Sequence, residues 1–203
     1  MKKLLLLLVL FASISCSTLK KEVKTYQAGQ IITSKGEILF WLSDKTPLHK
    51  ASFIKLANAN YWDSLTFNRV IKNFVIQGGC PDTPEGFGDS PYLLKPEFND
   101  SLKHVYGAVG AGRDDNPEKL SASCQFYIVN NKNGIPRLDG DYTIFGQVFK
   151  GFDVLEAISS VETDSLDTPL TNLKLDVTII SLTEKELNEY GYDFKSTINL
   201  NEK

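Results

Sequence analysis

Apolar and polar positions alternate along several short stretches of this chain and recur at helical spacing along two others. Ile31-Ile32-Thr33 and Glu37-Ile38-Leu39-Phe40-Trp41-Leu42 flank Ser34-Lys35-Gly36, a hairpin pattern in which Gly36 supplies the positive φ of a tight turn. Phe67, Arg69 and Ile71 share one face at period two; after the turn-prone Lys72-Asn73 the phase resets, Val75 and Gln77 share a face, and Gly78-Gly79 ends the strand. Gln125 and Tyr127 fall on one face of Ser123 to Val129, and Leu173 to Ile179 alternates as a closing strand. Phe53, Ile54, Leu56 and Ala57 recur at helical spacing behind Pro47, a favoured opening residue, and Val154, Leu155 and Ile158 mark a second amphipathic helix. Many short strands with only two good helices predict a mainly β, closed antiparallel barrel capped by those helices.

Length and charge narrow the class. With 203 residues and 42% hydrophobic content the chain can bury one substantial core, so a single domain with end segments is expected. A formal net charge of −3 offers no basic footprint for nucleic acid. Asp82 to Asp100, rich in Gly, Pro and acidic residues around Gly86-Phe87-Gly88, reads as a long irregular loop. The glycines of Gly107 to Gly112 do not follow the G-x-G-x-x-G order of a dinucleotide site and read instead as a crowded strand. In the following loop Asn116-Pro117 can start a single helical turn, and Asp114-Asp115 read as solvated turn residues, with attraction of basic peptides as the alternative. His49 and His104 are the only histidines and neither sits at ligand spacing with a cysteine, so no metal site or cofactor is expected.

The N-terminus carries a separate signal. Met1-Lys2-Lys3, the apolar run Leu4 to Leu10 and small residues before Cys16 have the layout of an export signal, too short to span a bilayer comfortably. Cys16 resembles the lipobox cysteine of bacterial lipoproteins, with a plain secretory signal as the alternative. The expected division is a signal peptide at 1–15, a lipid-anchored tether at 16–28, a domain at 29–183 and a polar, weakly patterned tail at 184–203, and the lipobox resemblance implies a protein held on a membrane of the bacterial envelope and facing the periplasm or exterior. A monomer is expected. Cys80 and Cys124 remain in a compartment expected to be oxidising; they could pair, but spacing alone does not bring their Cα atoms within bridging reach, and the expectation is two unpaired, buried thiols.

The most unusual feature is a charge and an amide inside the apolar run Phe67 to Gly79. Alone, this segment reads as a half-buried strand whose Arg69 snorkels to water. Three blocks together say more: Phe67-Asn68-Arg69-Val70-Ile71-Lys72-Asn73-Phe74-Val75-Ile76-Gln77-Gly78-Gly79, Gln125-Phe126-Tyr127-Ile128, and Leu138-Asp139-Gly140 leading to Phe145-Gly146. In content and order they resemble the cyclophilin-type peptidyl-prolyl isomerases. The resemblance implies an eight-stranded barrel, proline-containing polypeptides as substrates and Arg69 as the catalytic group. It implies a substrate site of Phe74, Val75, Tyr127 and Leu138, with Phe126 packing behind, Gln77 and Gln125 orienting Arg69 and holding substrate backbone, and Gly112, Arg113 and Tyr142 along the groove. Taken singly, each of these residues also reads as ordinary core or strand-end filling. Arg137 stands where many members have a tryptophan, Tyr142 where they have a histidine, Gly112-Arg113 where Ala-Asn is common, and Val75 where a methionine is usual. A peptide-binding or chaperone module using the same groove without catalysis is the competing reading.

Overall fold

The computed structural model describes residues 23–80 and 90–192. The export signal with Cys16, the Gly86-Phe87-Gly88 segment and the last residues of the tail lie outside the described residues. Chain order is β1 (Thr25–Thr33), β2 (Gly36–Leu42), α1 (Pro47–Asn58), β3 (Thr66–Ile71), β4 (Val75–Gly78), β5 (Leu93–Leu94), β6 (Ala108–Ala111), β7 (Ser121–Ala122), β8 (Phe126–Val129), β9 (Ile144–Lys150), α2 (Phe152–Ser159), β10 (Leu173–Lys174), β11 (Asp176–Thr183) and α3 (Glu184–Glu189).

Nine strands form one antiparallel sheet in the order β10-β3-β4-β8-β6-β9-β2-β1-β11. Its two edge strands are consecutive in the chain and separated only by Leu175. β10 pairs with β3 while β11 pairs with β1, so one bent run of chain meets both edges of the sheet and nearly closes it into a barrel of eight staves. Leu173, Leu175 and Val177 point into the core along this run, as their alternation predicts. α1 and α2 lay Phe53, Leu56, Val154, Leu155 and Ile158 against the barrel interior. Phe53 is the hub, with ring centroids 4.7 Å from Trp62, 5.3 Å from Phe40 and 5.6 Å from Phe145.

Several expectations change. The tether was expected to reach residue 28, yet β1 starts at Thr25, because Thr25 to Ala28 pair in register with Thr183 to Ile180. The tail from residue 184 was expected outside the core. Instead Thr183 and Glu186 form a reciprocal capping box that starts α3, and Leu187 is buried against Ala28, Leu39 and Leu182. Asn116-Pro117 makes a turn and no helix. The register between β3 and β4 slips between Phe67 and Arg69. This bulge sends Phe67 into the core beside Val70 and leaves Arg69 on the opposite face, so the two do not share a face.

Cys80 and Cys124 form a disulfide, against the expectation of free thiols. The cause is register. Gly78 faces Phe126 across the β4–β8 ladder, and extending that antiparallel pairing by two residues sets Cys80 opposite Cys124, with Cα atoms 5.0 Å apart.

Candidate active site

A cleft of about 400 Å³ opens on the outer face of the barrel beside Arg69. One wall comes from β3, β4 and the turn between them. Asn73, in the left-handed region at φ 59°, reverses the chain there, and Phe74, Val75 and Gln77 follow along the cleft. Tyr127 of β8 provides the buried floor; across from it, Gly110 of β6 must lack a side chain, since a Cβ there would land on the Tyr127 ring. The other wall is a single 3-10 turn, Pro136–Leu138, which presents Arg137 and Leu138, followed by Tyr142. Gly112 and Arg113 complete the rim at the end of β6.

Arg69 is half-exposed and held on two sides. Its Nη1 donates to Gln77 Oε1 at 3.4 Å, its cross-strand partner, and its Nε lies 3.8 Å from Asp167 Oδ2. The Asp167 loop is itself fixed to β3, because Val70 N–H donates to the Asp167 carbonyl at 2.8 Å. Beside the Arg69 guanidinium, Phe74, Val75, Tyr127 and Leu138 belong to one apolar cluster that lines the cleft.

The Tyr127 ring is locked from below. Asp139 Oδ1 accepts from both the backbone N–H and the Nδ1–H of His104, at 2.9 and 2.8 Å. That fixes the tautomer, so His104 Nε2 accepts the Tyr127 hydroxyl at 2.7 Å. Burial pushes the His104 imidazole below its ordinary pKa, outweighing the opposing pull of Asp139. Burial also drives the Tyr127 phenol well above its ordinary value. For Asp139 burial acts upward, but the two His104 donors outweigh it and hold the carboxyl below its usual range.

Ten residues line the cleft, among them Arg69, Phe74, Val75, Gln77, Gly112, Arg113, Tyr127, Leu138 and Tyr142, which the structure therefore brings together. Two expected members stand apart. Phe126 points into the barrel, 6.0 Å from Phe53 and 5.9 Å from Trp62, because its neighbour Tyr127 takes the outward face of β8. Gln125 is buried behind Gly112, where its side chain occupies the room a Cβ would need, and among the described residues its Oε1 has no donor, Arg69 included. The tenth lining residue, Arg137, was read only as a departure from a family pattern. Asp167 and the His104–Asp139 pair were not read as site residues at all. Asp139 had a signal, the L-D-G block itself; Asp167, 21 residues beyond Gly146 at the end of the last of the three blocks, had none.

A family model described as cyclophilin type peptidyl-prolyl cis-trans isomerase matches residues 29–182. The chain belongs to the cyclophilin family. Among its relatives, a peptidyl-prolyl cis-trans isomerase of Acinetobacter baylyi is 33% identical over 160 residues, covering 77% of this chain and 84% of that protein. The peptidyl-prolyl cis-trans isomerase-like 2 protein of Rhizopus delemar is 35% identical over 162 residues, which are 76% of this cyclophilin and only 29% of the relative. Among solved structures, a Cryptosporidium parvum cyclophilin crystallised in the presence of the dipeptide Ala-Pro superposes with a TM-score of 0.68 at 26% identity, covering 76% of this chain and 99% of that one. The nearly closed, mostly β barrel with two long helices is the cyclophilin fold.

Proposed function

We propose that this cyclophilin binds the proline of an Xaa-Pro segment in the cleft and accelerates rotation about the imide bond, with Arg69 stabilising the twisted state. Rotation faces a barrier of about 18 to 20 kcal/mol because nitrogen donates its lone pair into the carbonyl. As the bond twists, the nitrogen becomes pyramidal and more basic, so a donor aimed at it binds the twisted state better than the planar one. Arg69 carries spare N–H donors beyond those turned to Gln77 and Asp167. No nucleophile is required.

Arg69 cannot do this alone. A rate gain on the order of 10⁵ needs about 7 kcal/mol, and a hydrogen bond to a charged group contributes about 1.5 to 3. The remainder falls to the apolar socket, which fixes the ring and moves the imide out of water, where the less charge-separated twisted state is favoured. The observation that carries the reading is this adjacency: a guanidinium clamped by Gln77 and Asp167 at the lip of a cavity walled by Phe74, Val75, Tyr127 and Leu138.

Exchange of a short Ala-Pro peptide followed by nuclear magnetic resonance tests it. Catalysed exchange that falls about 10- to 150-fold in Arg69→Ala is expected. Binding without acceleration by the unaltered chain would instead establish the non-catalytic peptide module.

The substrates under this reading are exported polypeptides that the chain helps to fold while anchored through Cys16. The basic head, short apolar run and cysteine at the N-terminus support it, as does a disulfide, which persists in oxidising compartments. Mass spectrometry of the protein from bacterial membranes should find acylated Cys16 as the first residue; a chain retaining Met1 would remove the anchor from the proposal.

A further inference from the structure

Among the described residues, three of the ten that line the cleft are arginines, and none is acidic. This is unexpected in a chain whose formal charge is −3. The three differ in how they are satisfied. Arg69 shares its charge with Asp167 at 3.8 Å. Arg113 is almost wholly buried, its guanidinium 4.4 Å from the Tyr142 ring centroid and 3.1 Å from Asp141 Oδ2. Asp141 is itself shared with Lys119, at 2.6 Å, so Arg113 and Lys119 divide one carboxylate.

Arg137 has no such partner. It is exposed at the rim, its guanidinium lies 4.9 Å from the Phe74 ring centroid, and among the described residues no carboxylate or other acceptor pairs with it. Stacking on an aromatic face holds a guanidinium in place while leaving its in-plane N–H groups free for a carboxylate. Among the described residues, then, three arginines line the cleft, Arg69 and Arg113 each sit against a carboxylate (Asp167 and Asp141), and Arg137, held on the Phe74 ring, has none and overlooks the ring socket. The exposed Asp114 and Asp115 do not line the cavity.

We propose that this cleft prefers Xaa-Pro segments with a carboxylate side chain adjoining the proline, and that Arg137 is the residue that reads it. The inference rests on the isomerase reading of the same cleft and names its substrate class. Low-dielectric walls lined by one sign of charge focus the field and raise the local concentration of ligands of opposite sign. An interaction between partly exposed ions is modest, so discrimination of several-fold is expected.

The test uses the full chain and short peptides: a neutral Ala-Pro reference, and pairs with Glu or Lys placed immediately before or immediately after the proline. Exchange rates and dissociation constants come from the same nuclear magnetic resonance titrations. At low salt a Glu peptide should exceed its Lys counterpart by about fivefold at one of the two positions. The ratio should shrink to within about twofold near 1 M salt, where screening acts over about 3 Å. In Arg137→Gln the Glu-to-Lys ratio should fall to within about twofold, and in Arg137→Glu it should invert; using the ratio within each variant cancels any general change in activity. Equal handling of Glu and Lys by the unaltered chain, or a ratio undiminished in Arg137→Gln, overturns the proposal. A chain that accelerates none of the peptides removes the isomerase reading instead, and the dissociation constants then decide charge preference by the same criteria; binding of none overturns both.

Discussion

Tyr127 shows how one side chain can serve the cleft and the fold together. Its ring floors the socket while its hydroxyl donates to His104 Nε2, and His104 is oriented in turn by Asp139. In an ordinary core, loss of one hydroxyl with the ring retained is nearly neutral. Here Tyr127→Phe strands a buried acceptor, and an unsatisfied buried polar group costs about 1 to 3 kcal/mol. The expected destabilisation is therefore about 1 to 2 kcal/mol, read by thermal unfolding. A double-mutant cycle with His104→Ala should return a coupling energy of about 1 kcal/mol, and additivity of the two changes would refute the link. Nothing in the local sequence around Tyr127 announces His104, 23 residues upstream; only the fold brings them together. Arg69 was more legible, because a charge in an apolar strand demands either solvent or a purpose. Even so, its partner Asp167 comes from a loop that carries no pattern of its own.

At the level of elements, periodicity did most of what it can do and failed where pairing mattered. The β1–β2 hairpin, α1, α2 and the closing run from Leu173 are all readable from apolar spacing. Single-strand periodicity could not show the bulge at Asn68, since a bulge is a property of two strands and not of one. The disulfide was hidden for the same reason. Each cysteine looks like a small buried apolar residue until β4 and β8 are set in register, and then Cys80 and Cys124 are obligatory neighbours. Their bond closes a loop across a sequence separation of 44, for which chain-entropy arguments give about 4 kcal/mol and measured bridges about 2 to 4. Cys80→Ser with Cys124→Ser should accordingly lower the unfolding free energy by about 2 to 4 kcal/mol in denaturant titrations. Unchanged stability under oxidising conditions would mean that the bridge does not form in solution. Because Gly79 and Gln125 lie between this bond and the cleft strands, the same variant also reports how far the bridge supports Arg69's wall.

For the molecule as a whole, the two histidines tie distant parts of the wrapping chain to the barrel. His49, in α1, meets Glu97 Oε2 at 2.7 Å through Nδ1 and Ser121 Oγ at 3.1 Å through Nε2; His104 meets Asp139 and Tyr127, with Lys103 nearby. Both rings are about 2% exposed, and burial pushes both below the ordinary histidine pKa despite the carboxylate beside each. The sign follows from proton linkage. A group with a depressed folded pKa that is charged when protonated takes up its proton more readily in the unfolded chain, so the unfolded state binds more protons as pH falls below about 6.5. Stability should therefore be level above pH 7 and decline from about pH 6.5 downward, until the folded-state histidines themselves titrate. The two groups act in the same direction across this window, so their losses add. Asp139 and Asp141, both held below their usual carboxylate values, add a further loss only at more acidic pH, once they too take up protons. Urea titrations of the full chain across this range provide the measurement. Replacing either histidine by glutamine should flatten the decline by about half, whereas a stability flat from pH 7 to 5.5, or a decline indifferent to both replacements, would show that neither imidazole is kept neutral by the fold.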